Sequence, residues 1–168
     1  DLVRSRGLGD VYKRQIISTL VVSNSYAAGS SDSGSSKTKT KYDMAVTHIK
    51  AAKNFEKKDE IDKAKKRYEK AKKLLVQSNK NFPNKADTLN YLGFTTRKLG
   101  DFEKGEKFYL QGLKIDPKHI GINEYLGELY VATNRHNLAV ERLEVLKDCN
   151  CKEYDQLKAV IAGEKSKY

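Results

Sequence analysis

The chain has 168 residues, of which 38% are hydrophobic and 33% are charged, and its formal net charge is +11. This composition is polar for a globular protein but usual for exposed helices, and it leaves room for one domain with a modest core. The chain contains two prolines, Pro83 and Pro117, which excludes frequent backbone breaks. The positive charge favours nonspecific attraction to anions and does not decide the fold.

The first fifteen residues have no clear helical or strand period. Residues 5–15 read SRGLGDVYKRQ. The end of a widely used transposase sequencing adaptor, TCTCGTGGGCTCGGA followed by GATGTGTATAAGAGACAG, translates into the same residues. We therefore interpret residues 1–15 as a translated adaptor, exclude them from fold reasoning, and expect the natural N-terminus to be missing. The alternative is that their four basic residues form the positive start of a signal peptide.

The next two segments are typical of an export leader followed by a linker. Residues 16–27, IISTLVVSNSYA, are apolar and then small and polar, which predicts the back half of a signal peptide cleaved after Ala27. A buried strand of a lost domain and an uncleaved membrane anchor remain as alternatives. Residues 28–41 are rich in Gly, Ser, Lys and Thr, and we expect a disordered linker because they have little to bury.

Two segments in the second half of the chain share one pattern at an interval of 34 residues. The matched residues are Leu92-Gly93 with Leu126-Gly127, Gly105 with Ala139, and Tyr109 with Leu143. They resemble the tetratricopeptide repeat, whose pattern is Leu-Gly-x2-Tyr, then Ala-x3-Phe, then Pro. Residues 86–119 also match at Gly112 and Pro117, and residues 120–151 match at Tyr130 but depart at Leu146 and Cys151.

An earlier unit, about 45–85, matches the same pattern less closely. Ala64, Tyr68 and Ala71 reproduce its Ala-x3-Phe-x2-Ala spacing. This unit is seven residues longer than the next, which is about two helical turns. We expect the segment VQSNKNF before Pro83 to lengthen the second helix of the pair without rotating its apolar face.

The resemblance implies an all-α, right-handed solenoid of about three helix-turn-helix pairs in a domain at residues 42–165. Small residues inside helices are expected where two helices cross closely, because a helical glycine otherwise costs about 1 kcal/mol relative to alanine. Tyr68, Tyr109 and Leu143 are expected to fill the space beside them. Residues 152–165 form a predicted capping helix, with its apolar residues on one face. These are Tyr154, Leu157, Val160 and Ile161.

In members of this family, the first helices of the pairs line a concave groove that holds a peptide or a partner helix. The resemblance carries nine residues to this groove: Lys53, Lys57, Asn90, Phe94, Arg97, Lys98, Glu124, Glu128 and Val131. We expect a groove that is basic toward the first repeat and acidic toward the third, with Phe94 as an exposed apolar anchor. The alternatives are a solvated face and a face partly covered by the N-terminal linker.

The sequence contains no recognisable catalytic motif. Its three histidines, His48, His119 and His136, lie outside known motifs, and no phosphate-binding glycine loop occurs. We therefore predict no enzymatic activity and no cofactor. Cys149 and Cys151 are the one local pair of potentially reactive side chains. For this pair we favour a structural disulfide over free thiols, a redox-active pair or a metal site. His119 is the only histidine expected to approach them.

These observations predict a non-catalytic scaffold that binds a protein or peptide partner, exported to a bacterial periplasm or cell envelope. Membrane contact is expected only through an uncleaved leader. The alternative function is binding of an envelope polyanion, acidic lipid or polysaccharide, through the basic first repeat. Residues 50–73 contain eleven Lys or Arg and five Asp or Glu. The interleaved acidic residues and the absence of an aromatic ladder argue against nucleic acid as a partner.

Overall fold

The computed structural model describes residues 39–164, which contain seven α-helices and no β-strand. The predictions for the adaptor, the leader and residues 28–38 of the linker lie outside these described residues. The helices are α1 (Lys41–Glu56), α2 (Ile61–Asn81), α3 (Ala86–Lys98), α4 (Phe102–Ile115), α5 (Ile120–Ala132), α6 (His136–Val145) and α7 (Lys152–Ile161).

Successive helices form pairs that stack on one another. The closest packing is between α1 and α2, between α3 and α4, and between α5 and α6, each pair being joined by a short turn. The pairs contact one another through α2 with α3 and α4 with α5, and α7 packs on α5 and α6. The predicted all-α solenoid of three helix pairs and a terminal helix is confirmed.

The turn inside each pair has the same hydrogen bond and a residue in the left-handed region. The three residues are Asp59, Gly100 and Asn134, with φ of 57°, 95° and 59°. In each turn the next backbone N–H donates to the carbonyl five residues earlier, for example from Asp101 to Thr96 at 3.1 Å. This bond closes a Schellman-type helix end. Asparagine, aspartate and glycine are the residues that adopt this backbone most readily, so the local sequence fixes each turn.

The predicted extension of the second helix is confirmed, since α2 has 21 residues and α4 has 14. Helix α1 begins at Lys41, the last residue that we assigned to the linker, and four residues before Ala45. Its first turn is closed by a capping box in which the side chains of Thr40 and Asp43 each accept the other's backbone N–H. Helix α7 ends at Ile161, earlier than the predicted end at Lys165.

Close helix crossings explain the small residues of the repeat. A Cβ atom on Gly93 would lie 2.5 Å from the ring of Tyr109, which is fully buried. A Cβ atom on Gly127 would lie 2.6 Å from the side chain of Leu157 in α7. Leu143, which we expected to fill this space, is only half-buried, and the side chain nearest to that Cβ position is Leu157 of the terminal helix.

Within residues 39–164, we find no helix that combines the length and the apolar character needed to cross a bilayer.

Candidate functional site: the face formed by the first helices

The first helices of the three pairs, α1, α3 and α5, run side by side in the same direction. Near the start of α1, the ring of Tyr42 lies 5.9 Å from that of Tyr91 in α3. At the end of α1, Glu56 forms an ion pair of 2.6 Å with Lys98 at the end of α3. Residues near the start of α1 thus lie beside the first half of α3, and residues at the end of α1 lie beside the end of α3. The side chains predicted to line a groove therefore come from neighbouring parallel helices.

Phe94 is fully buried, so the prediction of an exposed anchor at this position is wrong. The Nζ atom of Lys53 in α1 lies 4.6 Å from the centre of the Phe94 ring, and Tyr125 in α5 lies 4.8 Å from it, centre to centre. Tyr68 in α2 packs against the same ring edge to face at 5.7 Å. Neighbouring helices on both sides therefore cover the aromatic residue in the middle of the face.

Lys53 links the first and third pairs across Phe94. Its ammonium group donates a hydrogen bond of 3.1 Å to the hydroxyl of Tyr125. Burial lowers the pKa of Lys53 to about 8, although the carboxyl groups of Glu124 and Glu128 act in the opposite direction. Its aliphatic stem covers apolar surface while its charged end meets polar groups, which is a common arrangement for lysine.

A buried ion pair joins the second and third pairs. The Arg97 guanidinium donates to the carboxylate of Glu128 at 2.9 Å, and both side chains are buried. Arg97 also lies 3.5 Å from the carbonyl oxygen of Tyr125, a weak contact at the limit of hydrogen bonding. The basic and acidic residues predicted for the two ends of the groove therefore neutralise one another between adjacent helices.

Among the acidic residues of this face, Glu124 has the most strongly shifted pKa. Its side chain is buried, and its Oε1 atom has no hydrogen-bond partner within residues 39–164. Burial raises the pKa of Glu124 to about 8, with further increases from Glu128 and Glu153. Glu124 is thus mainly protonated at neutral pH. Asn90 is also buried, on α3.

An open cleft of about 520 Å³ remains at the carboxyl ends of α1, α3 and α5. We call it the carboxyl-end cleft. Its charged walls are Glu56, Lys98, Arg97, Glu128 and Glu164, and its apolar walls are Phe102, Val131, Ala132 and Val160. Both signs of charge and an apolar surface therefore face the same opening.

The structure places the nine predicted groove residues in three different settings. Five of them are buried in the face: Asn90, Phe94, Arg97, Glu124 and Glu128. Lys53, Lys98 and Val131 are half-buried, and Lys57 is exposed at the end of α1. Sequence reasoning missed Phe102 and Val160 as cleft residues. Val160 had a detectable signal, because it belongs to the apolar face of the predicted terminal helix.

His119 and the two cysteines each have their own partners in the structure. His119 caps α5 by accepting the backbone N–H of Ile122 at its Nδ1 atom, and its Nε2 atom lies 3.1 Å from the carboxylate of Asp87. Cys149 and Cys151 are joined by a disulfide, with their Cα atoms 5.2 Å apart. Across residues 39–164, no group of three or more His, Cys, Asp or Glu side chains is arranged to hold a metal ion.

A comparison with protein-family models matches one helix pair of the chain, α3 with α4. Residues 86–119 match the family model of the tetratricopeptide repeat. No curated protein matches the chain. Among solved structures, the Arabidopsis OM64 TPR domain is 15% identical over 73% of this chain and 97% of that domain, with a TM-score of 0.47. The first TPR domain of Spaghetti (RPAP3), bound to the HSP90 peptide SRMEEVD, is 15% identical over 74% of this chain and 98% of that one, with a TM-score of 0.45.

Proposed function

The chain contains a tetratricopeptide repeat within a stack of three helix pairs, and from this premise we propose that it is a non-catalytic scaffold that binds a segment of a partner protein. The observation that carries the proposal is the carboxyl-end cleft. Its volume of about 520 Å³ lies within the range of sites that enclose a ligand or a few side chains. The cleft offers directional ionic partners beside an apolar wall, a combination that suits a peptide.

The occupant that fits this cleft is a short peptide with one apolar side chain and groups of both charges. The apolar side chain would lie against Phe102 and Val131, while Lys98 and Glu164 present opposite charges to the flanking residues. Because Lys98 already pairs with Glu56, a partner carboxylate must share or replace that contact. We therefore expect modest affinity with strong dependence on the apolar side chain.

The test is quantitative affinity capture with the purified full chain and a Phe102→Ala/Val131→Arg variant. The extract comes from the cell envelope of the source community or of a cultured relative. The matched control is Leu110→Ala/Val140→Arg, which alters two exposed apolar residues outside the cleft. We expect a protein that the parent and the control retain at moderate salt and that the cleft variant loses at least tenfold, the loss expected from about 1.4 kcal/mol of binding free energy.

A protein retained equally by all three variants would contradict the cleft as the binding site. Material that is polyanionic, elutes with salt and ignores both sets of changes would favour the second candidate function. That candidate is supported by Lys65, Lys66 and Lys70, which are exposed on α2 and form no ion pair within residues 39–164. Charge reversal at Lys65 and Lys66 would then abolish the retention.

We also propose that the protein is exported to a bacterial cell envelope. The leader-like residues 16–27 support this location, and so does the disulfide between Cys149 and Cys151, because disulfides persist in oxidising compartments. Alkylation and mass spectrometry of the protein from its host would test this, and two alkylated thiols would contradict an oxidising location.

A further inference from the structure

A second cleft, of about 620 Å³, lies at the opposite end of the first helices. We call it the amino-end cleft. Its apolar surface comes from Tyr42, Met44 and Phe82, and its basic residues are Lys39, Lys41 and Lys85. Along α1, Met44 and Glu56 are twelve residues apart, or about 18 Å, so the two clefts are separate surfaces.

The extension of α2 creates this cleft. Of the seven extension residues, 76–82, only Ser78 is buried, and Val76 and Phe82 are 52% and 64% exposed. The extension therefore adds little to the core. It brings Phe82 into the same cleft as Met44, which is itself 37% exposed. Large apolar side chains grouped in a cleft and left open to solvent are typical of an interaction site.

The charges around the amino-end cleft are mainly positive. Three lysines line it, against a single acidic residue, Asp87, which already contacts His119. Lys41 donates a hydrogen bond to the uncharged side chain of Gln77 at 2.7 Å. Lys39 and Lys85 are exposed and form no ion pair within the described part of the chain. The amino ends of α1 and α3 lie here together with the carboxyl end of α2, and Asp43 caps α1, so the positive potential comes from the lysines.

We propose that the amino-end cleft is a second docking surface, which binds an acidic segment of a partner protein with one large apolar side chain placed between Phe82 and Met44. Charge complementarity selects this occupant, because a basic or uncharged segment would leave the lysines without counter-charges. The proposal goes beyond the scaffold function above, since it assigns a different surface and a different ligand chemistry. A chain with both clefts has the means to hold two partners at once.

The experiment uses three fluorescent decapeptides and the full chain. The first peptide contains Glu and Asp around a central Leu-Phe pair, the second has Ser-Ser in place of that pair, and the third has Lys in place of the acidic residues. Binding is measured by fluorescence anisotropy at several salt concentrations, and the contact surface is mapped by amide chemical shifts. Vesicles of phosphatidylcholine with phosphatidylglycerol are titrated in parallel, to separate a peptide surface from a lipid surface.

The variants are Phe82→Ala and Lys39→Glu/Lys85→Glu. Each has a matched control on the same basic first repeat: Ile61→Ala, an apolar residue 56% exposed at the other end of α2, and Lys50→Glu/Lys58→Glu, at two exposed lysines outside both candidate surfaces. We expect only the first peptide to bind, with about tenfold weaker binding in each cleft variant and none of that loss in the controls. Chemical shifts are expected to change at the start of α1 and the end of α2.

Three outcomes would overturn the proposal: equal binding of the first peptide by all variants, shift changes confined to the carboxyl-end cleft, or vesicle binding that depends on Phe82 without peptide binding. The Phe102→Ala/Val131→Arg variant keeps the two hypotheses apart. This variant is expected to bind the acidic peptide like the parent. If the carboxyl-end cleft proves not to bind a partner, the result at the amino-end cleft is therefore unaffected.

Discussion

Glu124 shows how a single buried acid makes the stability of this protein depend on pH. Its pKa is raised from an ordinary value of 4.5 to about 8 in the folded chain. Below pH 4.5 the carboxyl group is protonated in both states. As the pH rises from 4.5 to 8, the unfolded chain releases this proton while the folded chain keeps it. The free energy of unfolding therefore decreases as the pH rises across this window.

We predict that Glu124→Gln removes this loss. Between pH 4.5 and 8, the stability of the variant relative to the parent is expected to rise with pH, as measured by urea unfolding at several pH values. Lys53, whose folded pKa is about 8 and whose ordinary pKa is 10.5, adds an opposite slope only near the upper end of the window, so the comparison is read mainly below pH 7. Glu103→Gln, at an exposed position, is the control and should follow the parent. A relative stability of Glu124→Gln that falls with pH would show that Glu124 is ionised in the folded state.

At this scale, the sequence predicted which residues share a face but not how deeply they lie. The groove positions implied by the family resemblance selected Lys53, Phe94 and Arg97, and the structure brings these three side chains together. It carried no information about the side chains of the adjacent helices, and these decide burial. The long stem of Lys53 and the ring of Tyr125 cover Phe94, and Glu128 neutralises Arg97. Such contacts form between residues about 30 to 70 positions apart, beyond the reach of any local pattern.

At the scale of elements, helix lengths and turns followed from the sequence with small differences. The two-turn extension of α2 was predictable because seven inserted residues preserve the direction of an apolar face. The amino-end cleft that this extension forms was not predictable, because it requires the positions of α1 and α3 beside it. The role of α7 was predicted as a cap, but its direct contact with Gly127 of α5 was not.

We predict that α7 is an integral part of the fold. Leu157 is fully buried and fills the space that Gly127 leaves open, so Leu157→Ala is expected to lower the free energy of unfolding by about 2–5 kcal/mol. The control is Leu110→Ala, because Leu110 is 42% exposed and its truncation should cost far less. Both are measured by urea unfolding followed by far-ultraviolet circular dichroism. Equal costs for the two variants would mean that α7 is detached from the stack in solution.

At the scale of the whole molecule, polar contacts as well as the apolar core join each helix pair to the next. The ion pair of Arg97 with Glu128 joins α3 to α5, and that of Lys98 with Glu56 joins α1 to α3. A repeat protein depends on the contacts between neighbouring repeats to unfold as one unit. The position of these pairs, between repeats and not within them, makes them part of that coupling.

A double-mutant cycle tests this coupling. Arg97→Met or Glu128→Leu alone leaves an unpaired buried charge, and each is expected to cost about 3–5 kcal/mol. The double variant replaces both charges with apolar side chains and should cost much less than the sum, which gives a large coupling energy in urea unfolding. The comparison pair is Arg135 with Glu106, bound through two hydrogen bonds of 2.8 and 2.9 Å.

Because the Arg135 side chain is 37% exposed, its pair is expected to couple by about 1 kcal/mol or less in the same type of cycle. The contrast between the two cycles separates the effect of burial from that of bond geometry, which is good in both pairs. Additive costs at Arg97 and Glu128 would show that water reaches this face in solution. The first helices would then form an open groove, as the resemblance to the tetratricopeptide repeat implied, and Phe94 would again become a candidate anchor for a bound peptide.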